Sequence, residues 1–226
     1  MNVKKIVGLL VIVAVAIGLF AFNYSTGQNA SSTQGSTVSA SEGRATGPAD
    51  LTNKDKKVLI VFFSRTKGLY GNETPVIGNT HQIANYIQAA TGGDIYEIVP
   101  AKDYPDEYNT ILDVAKAEQA NNKRPAIKNP LPDVSSYDIV FVGGPIWWGE
   151  YPMIVRSFLD QANLNGKTVI PFTTHEGSGL GNTKAQLEAQ YPNATVLKGL
   201  AIRGRQAALE ESKAAVDVWL KEIGII

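Results

Sequence analysis

One junction, residues 57–80, constrains the fold more than any other stretch. Val58-Leu59-Ile60-Val61-Phe62-Phe63 is an unbroken apolar run of β-branched, leucine and aromatic residues. That length and composition fit a parallel strand buried on both faces. The run passes directly into Ser64-Arg65-Thr66. After an interruption come Gly78-Asn79-Thr80, and then Ile83, Ala84, Ile87 and Ala90 share one face at helical spacing. A strand feeding a helix through a small polar turn makes an anion site. Free N–H groups of the first helical turn and the positive end of the helix dipole meet there, and hydroxyls add donors. The junction therefore predicts a phosphate-holding turn built from Ser64, Thr66, Gly78, Asn79 and Thr80, with Arg65 as a local positive charge.

The rest of the body alternates strands with helices. Residues 94–99 read as an edge strand after the Gly92-Gly93 stop, and 105–121 as a helix with Tyr108, Ile111, Leu112 and Ala115 on one face. Residues 123–136 contain three prolines and read as an irregular connection. A second strand spans 137–142, apolar apart from Asp138, and ends at Gly143-Gly144-Pro145. A helix over 152–162 turns Ile154, Val155, Phe158 and Leu159 inward, with Pro152 in its first turn. Then follow a strand at 167–173, a glycine-rich loop at 174–181, a helix at 183–190 and a strand at 195–202. The last helix is expected over 206–223, with Ala208, Leu209, Ala215, Val216 and Trp219 as its core candidates. Five strands alternating with helices predict an α/β doubly wound parallel sheet. Ligands of such sheets bind outside the carboxyl ends of the strands, which directs attention to the loops after strands one, three and four.

Ahead of this body lie two segments of different character. Lys4 and Lys5 precede the uncharged apolar run 6–22, which reads as a signal anchor or a cleaved signal peptide (segment 1–22). With both lysines on its N-terminal side, the positive-inside rule leaves the body outside the cytoplasm, membrane-anchored or, after cleavage, secreted. Residues 23–54 are rich in Ser, Thr, Gly and Gln without apolar periodicity, the composition of a disordered tether. The folded domain is expected over 55–226. The 21 basic and 21 acidic side chains cancel, so nothing in the charge favours nucleic acid. With no cysteine and two separated histidines, thiolate metal sites and disulfides are excluded and no metal site is expected.

At the three loops the sequence resembles a known family. Ser64-Arg65-Thr66, rejoined to Gly78-Asn79-Thr80, resembles the Ser-Arg-Thr-Gly-Asn-Thr phosphate loop of flavodoxins, which makes 67–77 an insertion. Within it, Gly71-Asn72-Glu73-Thr74 imitates the turn, but the helical pattern starts only after Thr80. Gly144-Pro145-Ile146-Trp147-Trp148-Gly149 is similar to the flavin-contacting loop of one bacterial branch, and Thr173-Thr174-His175-Glu176-Gly177-Ser178-Gly179 to its loop on the other side of the ring. The resemblance implies a flavodoxin-like three-layer fold, a five-stranded sheet in order 2-1-3-4-5, and non-covalent FMN doing one- or two-electron chemistry. It implies cofactor contacts from Pro145, Ile146, Trp147, Trp148 and Gly149, and from Thr174, His175, Gly177, Ser178 and Gly179, beside the phosphate turn.

The residues themselves add reasons. Trp147 and Trp148 offer flat apolar faces for stacking, and the glycines let backbone approach the ring edge. His175 is a candidate proton donor to a reduced ring; no other catalytic residue is assigned. His81 reads as solvated or capping, and Tyr104 and Tyr108 either border the pocket or pack a helix face. Three functions remain open: an electron carrier serving a redox partner protein or a small-molecule donor or acceptor, an FMN-dependent NAD(P)H or quinone oxidoreductase, and a binding domain that lost its cofactor. A monomer is expected from the resemblance.

Overall fold

The computed structural model describes residues 55–226; the apolar segment 6–22 and the tether 23–54 lie outside the described residues. Five helices and six strands follow in the order β1 (Val58–Phe62), α1 (Asn79–Thr91), β2 (Asp94–Glu97), α2 (Tyr108–Ala120), β3 (Ile139–Pro145), α3 (Met153–Gln161), β4 (Thr168–His175), α4 (Thr183–Gln190), β5 (Thr195–Val196), β6 (Leu200–Arg203) and α5 (Glu210–Glu222). All strand pairs are parallel and the order is β2-β1-β3-β4-β5, with β6 also paired to β4. No helix among the described residues is long and apolar enough to cross a membrane.

The period of two in β1 divides the core. Leu59, Val61 and Phe63 pack with α2, α3 and α4 residues such as Ile111, Phe158 and Leu187. Ile60 and Phe62 point to the other face, where Ile83 and Ile87 of α1 meet Val216, Trp219 and Leu220 of α5. Helices on both faces explain why the central strands β1 and β3 are apolar without alternation.

Four boundaries differ from the sequence reading. The fifth strand, expected unbroken over 195–202, is two short pieces, β5 and β6, that share one flank of β4. The last helix begins at Glu210 because Gly204–Gln206 forms a 3-10 turn first, so Ala208 and Leu209 are exposed while Val216 and Trp219 carry the burial. Helix α2 begins at Tyr108, where the Glu107 side chain accepts from the Asn109 and Thr110 N–H groups. Finally, β3 continues through Gly143-Gly144-Pro145, paired with Phe172 to Thr174 of β4. These glycines do not turn the chain. The Phe172 ring lies where a Gly143 side chain would project, 2.1 Å from an ideal Cβ, so glycine admits the neighbouring ring.

Candidate functional site

The carboxyl ends of β1, β3 and β4 converge on a cleft of ≈ 220 Å³. Ser64, Arg65, Asn79 and Thr80 line it from the β1–α1 junction, Pro145, Ile146 and Trp147 from β3, and Thr174, His175 and Ser178 from β4 and its loop.

At the junction end the backbone does most of the building. Ser64 Oγ accepts the His81 N–H at 3.1 Å, and Gln82 N–H bonds Gly78 O at 2.9 Å as the first helical bond. The Asn79 and Thr80 N–H groups have no acceptor among the described residues, and no acidic side chain occupies the first turn of α1. Two donors and an uncompensated dipole therefore face the cleft. Gly78 holds this arrangement: an added Cβ would lie 2.3 Å from Ser64 Oγ and 2.5 Å from the Arg65 carbonyl oxygen. The Thr80 and Thr174 hydroxyls, both buried, bond each other at 2.7 Å and tie α1 to β4. Whichever accepts keeps its own hydrogen for a further partner.

Arg65 plays a different part from the one its position suggests. Its Nη2 donates to the carbonyls of Tyr104 (3.2 Å) and Pro105 (2.6 Å), and its guanidinium lies 5.7 Å over the Tyr104 ring. Burial lowers its pKa against the nearby Asp106, yet a guanidinium stays charged. It chiefly braces the β2–α2 loop, although its Nη1 is buried without a protein partner among the described residues. Thr66 and Gly78 line a neighbouring cleft beyond the 64–66 segment, together with His81, whose Nδ1 is 3.7 Å from Glu97.

The ring end is built from aromatic side chains. Trp147 lines the cleft and packs edge-on against Phe63 (5.7 Å) and Tyr104 (5.2 Å). Trp148 does not join it. Trp147 and Glu150 exchange backbone hydrogen bonds across a tight turn whose tip, Trp148 (φ 51°) and Gly149 (φ 87°), has positive φ at both positions. That conformation throws the Trp148 indole onto α2, where its N–H donates to Leu112 O at 3.0 Å and Lys116 Nζ sits 5.1 Å over the ring. Gly149 lines no part of the cleft; its carbonyl accepts the Asn182 N–H at 2.8 Å.

On the third side, β4 extends through His175, so Thr174 and His175 belong to the strand rather than to the loop. His175 Nδ1 accepts the Gly177 N–H at 2.9 Å, which leaves the neutral ring's proton on Nε2. Burial lowers its pKa, the Arg203 charge adds to this, and Glu176 opposes both. Gly177 and Gly179 shape the loop without lining the cleft; the Gly179 carbonyl accepts the Thr173 hydroxyl at 3.1 Å.

The 67–77 insertion, expected from the sequence either to cover the flavin edge or to offer a docking surface, supplies one wall, although no particular residue of it was singled out. Leu69, Tyr70 and Glu73 of the 67–77 insertion line the cleft, as do Glu176 and Gly204. Tyr70 packs edge-on against Tyr108 (5.8 Å), which also lines the cleft, and lies under the Arg205 guanidinium (5.2 Å), itself 3.4 Å from Glu176. A single 3-10 turn at Tyr70–Asn72 has no periodicity to detect. The usable signal was an aromatic residue inside an insertion at a ligand turn.

Comparison with known proteins agrees with this fold. The family model described as flavodoxin matches residues 72–223. A crystal structure from Bacteroides eggerthii is similar at 31% identity and TM-score 0.61, covering 76% of this chain and 100% of that one. One from Bacteroides uniformis is similar at 29% identity and TM-score 0.60, covering 74% and 98%. A flavoprotein from Lactobacillus acidophilus, solved in complex with FMN, shares the fold at 21% identity and TM-score 0.52, covering 69% and 97%. No curated protein matches. The parallel order 2-1-3-4-5, the site at the carboxyl ends of its strands and these matches lead to one assignment: the chain belongs to the flavodoxin family.

Proposed function

We propose that the chain is an FMN-binding electron-transfer protein, tethered to a membrane through residues 6–22 with its folded domain outside the cytoplasm. The single observation that carries the FMN reading is the donor set at the α1 N-terminus. The Asn79 and Thr80 N–H groups and the Ser64 and Thr80 hydroxyls converge on one cleft with no acidic side chain in the helix's first turn. That set suits a phosphate held by neutral donors and a helix dipole. When bound, the isoalloxazine ring supplies reversible one- or two-electron redox chemistry. Trp147 gives it an apolar wall, and the Phe63 and Tyr104 rings keep that wall from turning. His175, neutral with a proton on Nε2, offers a hydrogen-bond donor on the β4 side.

The test is an absorption spectrum of the full chain before and after FMN addition, followed by reductive titration. Uptake of yellow flavin that then reduces in two separate one-electron steps supports the carrier. Rapid bleaching by NAD(P)H without a partner protein identifies a stand-alone oxidoreductase instead, and failure to take up FMN overturns the cofactor. Protease added to intact cells tests the tether: digestion of the domain supports an outside-facing body, and full protection rejects it.

A further inference from the structure

Beside the cleft, but separate from it, lies a cavity of ≈ 450 Å³ between the β2–α2 loop, α2 and the chain that follows α2. Its volume is twice that of the first cleft and falls within the range of small-molecule pockets. The inner wall is apolar: the Tyr104 ring, Pro105, Val114 and Pro125. Two kinds of polar group are set into it. In the half-buried part of the wall, Tyr104 Oη donates to Glu118 Oε2 at 2.9 Å, which leaves the other carboxylate oxygen without a protein donor among the described residues. Burial raises the Glu118 carboxyl above its ordinary range, so a donor arriving there relieves a desolvated group. At the exposed rim stand Lys102 and Lys123, neither paired with a carboxylate among the described residues. Arg124 is held by Asp160 and Asn122, and Asp103 is the one rim charge that an anion must avoid.

We propose that this cavity is a second small-molecule site, shaped for an aromatic acid whose ring carries a hydrogen-bond donor. The ring lies between Tyr104, Val114 and the two prolines, the donor reaches Glu118, and the carboxylate reaches Lys102 and Lys123. The site communicates with the first cleft through Tyr104, whose ring forms its wall and packs 5.2 Å from Trp147 on the other side. A ligand there therefore changes the surroundings of Trp147. The inference stands apart from the flavin reading, because binding is read directly.

The experiment titrates 4-hydroxybenzoate, and benzoate for comparison, into the full chain by calorimetry and tryptophan emission. Saturable binding of 4-hydroxybenzoate is expected, with benzoate weaker by about tenfold for the lost donor. Val114→Trp, which fills the cavity, should abolish binding while leaving FMN uptake unchanged. The surface pair Lys102→Glu/Lys123→Glu should weaken it by about tenfold or more without touching the core. Absence of saturation at millimolar probe overturns the site. So does binding that survives both variants, or competition between the probe and FMN, which would put the probe in the first cleft.

Discussion

The two ends of the cleft are made in different ways. The β1–α1 end is a backbone construction: a strand stops, a helix starts, and two free N–H groups are left facing inward. Its side chains are small and mutually locked, Ser64 on the His81 N–H and Thr80 on Thr174. The β3 end is a side-chain construction, and its outcome turns on one dihedral angle. Adjacent tryptophans go opposite ways because the tip of the turn has positive φ, so Trp147 faces the cleft while Trp148 lies 49% exposed against α2. A non-glycine residue in that region costs about 1 kcal/mol or more; the Leu112 hydrogen bond and the Lys116 cation–π contact offset it. Backbone sites tolerate no added atom, whereas side-chain sites tolerate partial loss.

The largest effect should therefore come from one methyl group at the backbone end. Gly78→Ala should destabilise the fold by about 3 kcal/mol and abolish FMN uptake, since its Cβ meets a backbone carbonyl that cannot rotate away. Denaturant melts and flavin titration check this; a variant that binds FMN normally breaks the contrast. Next, Thr80→Val strands the Thr174 hydroxyl in a buried setting and should cost about 2 kcal/mol of stability. Equal melts for variant and parent would remove that tie from the account. At the ring end, Trp147→Ala should weaken flavin binding by about 0.5–1.5 kcal/mol beyond the lost area. Trp148→Ala should leave flavin affinity unchanged and lower stability by about 1 kcal/mol through the lost Leu112 bond. Equal losses of affinity in both would place both indoles on the ring.

The same contrast decides what could be read from the sequence. The β1–α1 end was legible because a strand-to-helix transition is local: an apolar run, small polar residues, then helical spacing from Ile83. That the central strands are covered on both faces followed from β1 and β3, which are apolar at every position, whereas the order 2-1-3-4-5 came from the family resemblance. The direction of Trp148 was not legible, since a positive φ at a tryptophan contradicts its usual preference and is imposed by the Trp147–Glu150 pairing. Nor was the role of Arg65, whose carbonyl partners at Tyr104 and Pro105 come from a distant loop. The wall formed by Tyr70, Tyr108 and Arg205 joins three separate segments, and no local pattern links them. The break between β5 and β6 escaped for a related reason: the whole 195–202 stretch flanks β4, and only its pairing shows the gap.

The smallest expected effect concerns the third side of the cleft and depends on pH. Burial first, then Arg203, depress the His175 pKa in the folded protein, while Glu176 pulls the other way. Between the lowered folded pKa and the unfolded value near 6.5, the unfolded chain binds more protons, so stability rises with pH in that window. His175 thus contributes fully above the unfolded pKa and progressively less as pH falls through the folded one. Protonation also has a local consequence: Nδ1 becomes a donor and can no longer accept the Gly177 N–H at 2.9 Å. The Gly177 amide resonance should therefore shift together with the His175 ring on acidification, and His175→Asn should flatten this part of the stability profile. A Gly177 resonance that stays fixed while the ring titrates would show that the hydrogen bond does not hold the loop. The β4 side would then be positioned by the Thr173–Gly179 bond and the Thr80–Thr174 pair alone, bringing it closer in kind to the backbone end than to the aromatic one.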